Sequence, residues 1–261
     1  MTIGTDKPTQ EEVGSVPFYF FDEYAPDHPI SVYDFQQKLR PLLDRFEKEG
    51  QDVLVVGGTF LYIKALLFNY VFAKDSPSTP EEDELPLAKL QQRLLQLSPS
   101  VYSQIDVQNP RRVIRAIRQL EEGNNREDIL KKNDGSPLYP TCFVCIDVDK
   151  EEGNRLIDER VDRMFKQGFE AEVQKLLRKY PSNLRPFSSI GYKEVVDAIM
   201  QNQPIDDSVK DLIKVHTHQY AKKQRTFLKN QFQNVHHGTK EEIYSFLRKN
   251  ILSHQKENPL H

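Results

Sequence analysis

The chain has 261 residues, 36 basic against 39 acidic groups for a net charge of −3, and 38% hydrophobic with 29% charged residues. That balance is the one expected of a soluble globular protein of one or two domains. It excludes a membrane span, since no apolar run approaches the roughly 18 residues required, and a disulfide scaffold, since there are only two cysteines. The N-terminus carries no apolar signal segment, so a reducing, cytoplasmic setting is expected. The first hundred residues are acidic on balance, 101–204 are neutral and 205–261 are basic. A basic C-terminal end suits a polyanionic partner, although a few Lys-rich exposed helices would look the same.

In chain order, residues 1–30 read as extended or looped, with Pro8, Pro17, Pro26 and Pro29 and a possible strand at 16–21. Ser31 with Asp34 forms a capping-box signature. Phe35, Leu39, Leu42, Leu43 and Phe46 then recur at helical spacing until Gly50. Val53-Leu54-Val55-Val56 is a continuous apolar run, as in a strand buried on both faces of a parallel sheet. Gly57-Gly58-Thr59 follows, then an apolar helix over about 60–70. Residues 75–100 hold Pro77, Pro80, Pro86 and Pro99 with acids at Glu81, Glu82, Asp83 and Glu84, which predicts a peripheral insertion with one helix near 87–97. Residues 110–122 predict an amphipathic helix, Val113, Ile117 and Leu120 on one stripe and Arg111, Arg115 and Arg118 on another. After a loop-rich 123–140, residues 143–148 are a second buried-strand candidate. Helices are predicted at about 151–167, 169–179, 190–201, 207–231 and 240–252, the last capped by Thr239 and Glu242. The pattern is an α/β fold with a mostly helical second half, and its two strands make a thin sheet.

Five motifs could carry chemistry. A strand running into Gly57-Gly58-Thr59 and a helix lets backbone approach a ligand and sets Thr59 near a helix N-terminus, where anions are favoured; a plain turn with Thr59 as N-cap reads the same residues. Arg111, Arg112, Arg115 and Arg118 crowd one helix, and Arg forks match phosphate oxygens; pairing with Glu121 and Glu122 is the alternative. In Asp158-Glu159-Arg160-Val161-Asp162-Arg163-Met164-Phe165, Arg160 and Arg163 stand one turn apart and can reach one anion, or join an ion-pair lattice along their own helix. Lys222, Arg225 and Lys229 recur on one helix face, interleaved with Tyr220 and Phe227, which suits phosphates and stacked bases; lysines extended past a core edge look alike. Ser188-Ser189-Ile190-Gly191-Tyr192-Lys193 could mould to a backbone or base, or simply enter a helix. Cys142 and Cys145 are three apart in a predicted strand and so point to opposite faces, and His216, His218, His236 and His237 lack partners at zinc spacing; no structural metal is expected.

The motifs gain meaning from their order. Ile3-Gly4-Thr5-Asp6-Lys7-Pro8-Thr9, Gly57-Gly58-Thr59-x-Leu61-Tyr62, Asn109-Pro110-x-Arg112-x-x-Arg115-Ala116, Arg160-Val161-Asp162-x-Met164 with Gly168, Ile190-Gly191-Tyr192-Lys193-Glu194 and Tyr220-Ala221-Lys222-x-Gln224 together resemble the tRNA dimethylallyltransferase family over residues 1 to about 232. The resemblance implies a P-loop-kinase-like parallel sheet core with a mostly helical tRNA-binding part. Its parts here would be core at 1–74, a helical insertion at 75–140 that grips the anticodon stem-loop, further core and tRNA-binding helices at 141–232, and a C-terminal helix and tail at 233–261. It implies transfer of a dimethylallyl group from dimethylallyl diphosphate to N6 of adenosine-37 of tRNA, with Mg²⁺ as cofactor, in a monomer without membrane contact. By the same resemblance Thr59 would lie beside the reacting amine and Arg160 would hold the diphosphate. Arg111, Arg112 and Arg115, Ser188, Ile190, Gly191, Tyr192 and Lys193, and Lys222, Lys223, Arg225 and Lys229 would contact tRNA.

Three departures qualify this. The family begins with a strand and a G-x-x-x-x-G-K-[ST] loop, and a second strand then carries the Asp general base; this sequence starts about 40 residues into that pattern. Phe60 replaces a usual Gly, which would crowd Thr59, and the 75–100 insertion is short. The expectation is therefore little catalysis from these 261 residues, as a fragment or a mis-assigned start, with a non-catalytic tRNA-binding paralogue as the alternative. A transferase for free adenine nucleotides is a third reading, disfavoured by the basic C-terminal helices.

Overall fold

Ser31 opens the first long helix as its spacing predicts: its hydroxyl accepts from the Asp34 backbone N–H while the Asp34 carboxylate accepts from the Ser31 backbone N–H. A computed structural model of the chain describes residues 1–72, 79, 82, 84–123, 133 and 135–257. Pro77, Pro80, Glu81, Asp83 and most of the 123–140 loop lie outside the described residues. The helices are α1 (Gln10–Val13), α2 (Val32–Lys48), α3 (Phe60–Leu67), α4 (Leu87–Leu97), α5 (Pro99–Gln104), α6 (Pro110–Glu121), α7 (Lys150–Lys166), α8 (Phe169–Leu177), α9 (Tyr192–Met200), α10 (Asp207–Gln231) and α11 (Lys240–Glu257). Strands β1 (Phe143–Ile146) and β2 (Val235–Gly238) complete the order. The fold is mixed α/β, mostly helical with a small parallel sheet. It divides into two compact units, Met1–Phe60 with Cys142–His261, and Leu61–Thr141.

The core of the first unit lies where α7, α8, α9 and α10 meet. Phe169 and Tyr192 are fully buried there and cross edge to face at 5.0 Å, with Phe165 against Phe169 in the same geometry. Burying a ring of this size stabilises by about 1.5–3 kcal/mol. Met1 and Ile3 pack on this cluster, and a methyl group at Gly4 would stand 2.3 Å from the Phe169 ring. Thus Gly4 is dictated by close approach, not by turn geometry. In the second unit the amphipathic reading of α6 holds: Val113, Ile114 and Ile117 are buried against Leu90 and Leu94 of α4, and Arg111, Arg112 and Arg115 face outward. The Arg118 guanidinium pairs with Glu82, and Arg93 with Glu121 at 2.6 Å.

The strands depart most from expectation. Residues 53–56 form no strand; Leu54 is 69% and Val56 84% exposed. An apolar run becomes a buried strand only when neighbours hydrogen-bond both its edges, and among the described residues none does. Residues 16–21 are not a strand either. Phe20 takes φ +67°, which breaks an extended run, and the rings pack as turns onto α2, Phe20 on Phe35 and Tyr19 on Phe46. The second strand exists but stops at Ile146, and Ile146 and Val148 are exposed, not buried on two faces. Its parallel partner β2, with Cys145 opposite His237, has no apolar signature in Val235-His236-His237-Gly238 and is not foreseen.

Candidate functional site

The turn before α3 is held by one stripe of α10. Tyr220, Gln224 and Phe227 are spaced i, i+4, i+7 and so share a face. The Gln224 amide donates to the Gly58 carbonyl at 2.8 Å, and the Thr59 and Tyr220 hydroxyls stand 3.4 Å apart. A Cβ at Gly58 would meet the Gln224 amide nitrogen at 2.0 Å, so a larger residue there would push this flexible amide off the Gly58 carbonyl. Phe60 does not crowd Thr59 as its size suggests. Its ring stacks on Phe227 at 6.3 Å and meets Phe232 edge-on at 5.7 Å. Thr59 is left exposed, its hydroxyl oriented by Tyr220. Phe227 thus stacks on Phe60 while also lining a groove beside Lys222 and Lys223.

Arg160 and Arg163 do reach one anion, and it belongs to the chain. Arg160 Nε lies 3.2 Å from Asp6 Oδ2, and Arg163 Nη2 lies 3.2 Å from Asp6 Oδ1. Asp6 sits at φ +51° in a turn closed by its own N–H to the Ile3 carbonyl, a conformation Asp tolerates. The helix-internal lattice is carried instead by Arg155, which pairs with Glu152 at 2.6 Å and with Glu159. Asp158 and Asp162 pair across to α10, with His218 at 2.9 Å and Lys214 at 2.8 Å.

The Asp6 turn is anchored by Glu172, which sequence reasoning missed. Its carboxylate accepts from the backbone N–H of Thr2 at 2.8 Å, Ile3 at 3.0 Å and Gly4 at 3.4 Å, and from the Tyr192 hydroxyl at 2.5 Å. Burial alone would push the Glu172 carboxyl up, but these donors outweigh it and hold it below its ordinary value; burial and the neighbouring Glu172 charge push the Tyr192 phenol up. The sequence offers no local signal, because three of the donors are some 170 residues away and the fourth is 20.

The other predicted site residues fall into two groups. Tyr192 is 1% exposed and Gly191 is buried, so they belong to the core and offer a partner no surface; Ile190 packs against the same cluster. Ser188 and Lys193 are exposed, with the Lys193 ammonium held above its ordinary value by a 2.5 Å hydrogen bond to Asp197. Lys222, Lys223, Arg225 and Lys229 are all exposed along α10, with Lys222, Arg225 and Lys229 on one face of the helix. Lys222 and Lys223 line a groove of about 540 Å³ with Thr226 and Phe227, and Arg225 and Lys229 line a hollow of about 570 Å³ beside the ends of β1 and β2. Arg111, Arg112 and Arg115 lie in the second unit, Arg112 3.9 Å from Asp106. The spacing argument against ligand sets also needs correction, because pairing of β2 with β1 brings His237 together with Cys145 and Asp147.

The IPP transferase family model matches residues 1–231. The chain belongs to the IPP transferase family. It is 32% identical over 238 residues to a tRNA dimethylallyltransferase of Bacillus cereus (strain AH820), covering 88% of this chain and 75% of the relative. It is 33% identical over 244 residues to one from Exiguobacterium sp., covering 90% and 76%. Among solved structures, a tRNA delta(2)-isopentenylpyrophosphate transferase from Staphylococcus epidermidis superposes with TM-score 0.67 at 28% identity, covering 98% of this chain and 86% of the other. A eukaryotic dimethylallyltransferase acting on tRNA shares the fold, with TM-score 0.76 at 19% identity, covering 99% and 70%.

Proposed function

We propose that the Gly58–Thr59 turn and the Arg160–Arg163 pair serve transfer of a dimethylallyl group from dimethylallyl diphosphate to N6 of an adenosine in tRNA. The observation that carries this reading is the exposed Thr59 hydroxyl, set in place by Tyr220 on a turn that Gln224 clamps. In the reaction the amine nitrogen bonds to the allylic carbon. The carbon–oxygen bond to diphosphate breaks, its electron pair leaves with the diphosphate, and the amine proton passes to an acceptor. Thr59 would hydrogen-bond the amine and fix its approach. Arg160 and Arg163 would take charge from the leaving group, which needs fixed cations as its negative charge grows. Arg111, Arg112, Arg115, Lys193, Lys222, Lys223, Arg225 and Lys229 offer cations for the RNA backbone.

Mg²⁺ prefers octahedral oxygen ligands. Two groups test its fit among the described residues. Asp6 is closed between two guanidiniums, and the Cys145, Asp147, His237 cluster mixes sulfur, nitrogen and oxygen. Neither suits that ion.

One feature favours a second reading, a tRNA-binding protein without transfer. Asp6 occupies the pair of arginines that a diphosphate would need, so the donor must displace it. A single experiment separates the readings. The chain is incubated with an anticodon stem-loop, dimethylallyl diphosphate and Mg²⁺, and the RNA is digested and analysed by nucleoside mass spectrometry. Isopentenyl-adenosine that disappears with Thr59→Ala supports transfer. Salt-sensitive RNA binding without product supports the second reading, and neither binding nor product overturns both.

A further inference from the structure

The only two strands among the described residues assemble a ligand set that neither carries alone. Parallel register puts Cys145 directly opposite His237, so their side chains share one face of the ladder. Asp147, two residues beyond Cys145, falls on that same face. Its backbone N–H donates to the Gly238 carbonyl at 2.8 Å, which extends the ladder and fixes it beside His237. The His237 Nδ1 lies 2.8 Å from the Asp147 carboxylate. One ligand atom from each of Cys145, Asp147 and His237 lies within 4.8 Å of the others. Beyond Gly238 the chain is pinned by reciprocal hydrogen bonds, Thr239 N–H to Glu242 at 2.7 Å and Glu242 N–H to Thr239 at 3.3 Å. The three groups thus stand on rigid elements, not on a loose loop.

We propose that Cys145, Asp147 and His237 form a three-ligand site for a borderline-soft divalent cation, Zn²⁺ above all, with a fourth position open to the adjoining hollow. The thiolate and the imidazole select zinc over magnesium, and the carboxylate is a ligand that zinc also accepts. Ligand atoms around a tetrahedral zinc stand roughly 3.5 Å apart, given bonds of about 2.0–2.3 Å, so side-chain rotation closes the set without backbone movement. The hollow holds about 570 Å³ and is also lined by Arg225 and Lys229, so an oxyanion is the fitting fourth ligand. A free nucleophilic triad is the competing use of the same three residues. The two uses separate on Zn²⁺, which shields the cysteine from alkylation only if the three groups converge on one ion.

The three ligands are distinct from Thr59, Arg160 and Arg163, although Arg225 and Lys229 beside them are also offered to RNA, and the test does not read activity. Co²⁺ alone is titrated into the purified chain while thiolate-to-cobalt absorption is followed in the near ultraviolet. Expected is a one-to-one band that is lost in Cys145→Ser, kept in Cys142→Ser and weakened at least about tenfold in His237→Ala. Even a group that only orients a ligand costs about 10–100-fold when removed. Because a variant could misfold, the wild-type chain supplies a second readout: Zn²⁺, and not Mg²⁺, should protect Cys145 from alkylation while the exposed Cys142 stays reactive. The absence of a thiolate band, its persistence in Cys145→Ser, or equal alkylation of both cysteines in saturating Zn²⁺ would overturn the proposal.

Discussion

Replacing Glu172 by Gln tests how the Asp6 turn is held. The carboxylate takes four donors: Thr2, Ile3 and Gly4 backbone N–H groups and the Tyr192 hydroxyl. A glutamine oxygen can keep Thr2 and Ile3, but its amide nitrogen then faces Tyr192 and Gly4. The Tyr192 hydroxyl can rotate and accept, whereas the Gly4 N–H, already 3.4 Å from its acceptor, is left facing a second donor. Hydrogen bonds to a charged group contribute about 1.5–3 kcal/mol each when buried. Two are weakened here at a half-buried site, so a net destabilisation of about 2 kcal/mol is expected. For a chain of this size that corresponds to a fall in Tm of roughly 4–8 °C. The sign with pH is fixed. The folded carboxyl lies below its ordinary 4.5, so its contribution is complete above that value and is lost as pH falls through the folded pKa. Wild type and Glu172→Gln should differ at pH 7 and converge in acid. Thermal melts across pH, with amide exchange at Ile3 as a local probe, measure this. Equal melting at pH 7, or a gap that persists in acid, would refute the account of the turn.

Three further outcomes follow from the same geometry. Gly58→Val pushes the Gln224 amide off the Gly58 carbonyl and costs about 0.5–1.5 kcal/mol for the hydrogen bond lost; a calorimetric melt unchanged from wild type would refute the clamp. Asp6→Asn frees Arg160 and Arg163, and because all three side chains are partly exposed the ion pairs contribute at most about 1 kcal/mol; calorimetry with inorganic diphosphate should show tighter binding, by no more than about fivefold. Replacing both Lys222 and Lys223 by Ala should flatten the salt dependence of stem-loop binding by about 0.7–0.9 in slope for each phosphate no longer neutralised, and an unchanged slope would place those lysines away from RNA.

Most helices can be read from the sequence because their signals are local. The Ser31–Asp34 box, the Asn109 cap before Pro110 and the alternation of Val113 and Ile117 with arginines each act within one or two turns. Strands depend on partners. The run at 53–56 has the composition of a core strand yet lacks the ladder that would bury it, and His236-His237 has none of the composition yet pairs because β1 lies beside it. The site divides in the same way. The convergence of Arg160 and Arg163 is legible, since they are one turn apart on one helix. The anion between them, Asp6, and the anchor beneath it, Glu172, come from remote sequence. Tyr192 shows the reverse error: a residue in a motif can be there for the core.

The exposed apolar run at 53–56 has a practical consequence. Leu54 and Val56 offer apolar side chains to water alongside backbone groups that no ladder among the described residues occupies, a combination that templates strand pairing between molecules. Purified material should therefore self-associate as its concentration rises, with light scattering growing before any helix melts. A lysine or proline introduced at Leu54 should keep preparations monodisperse.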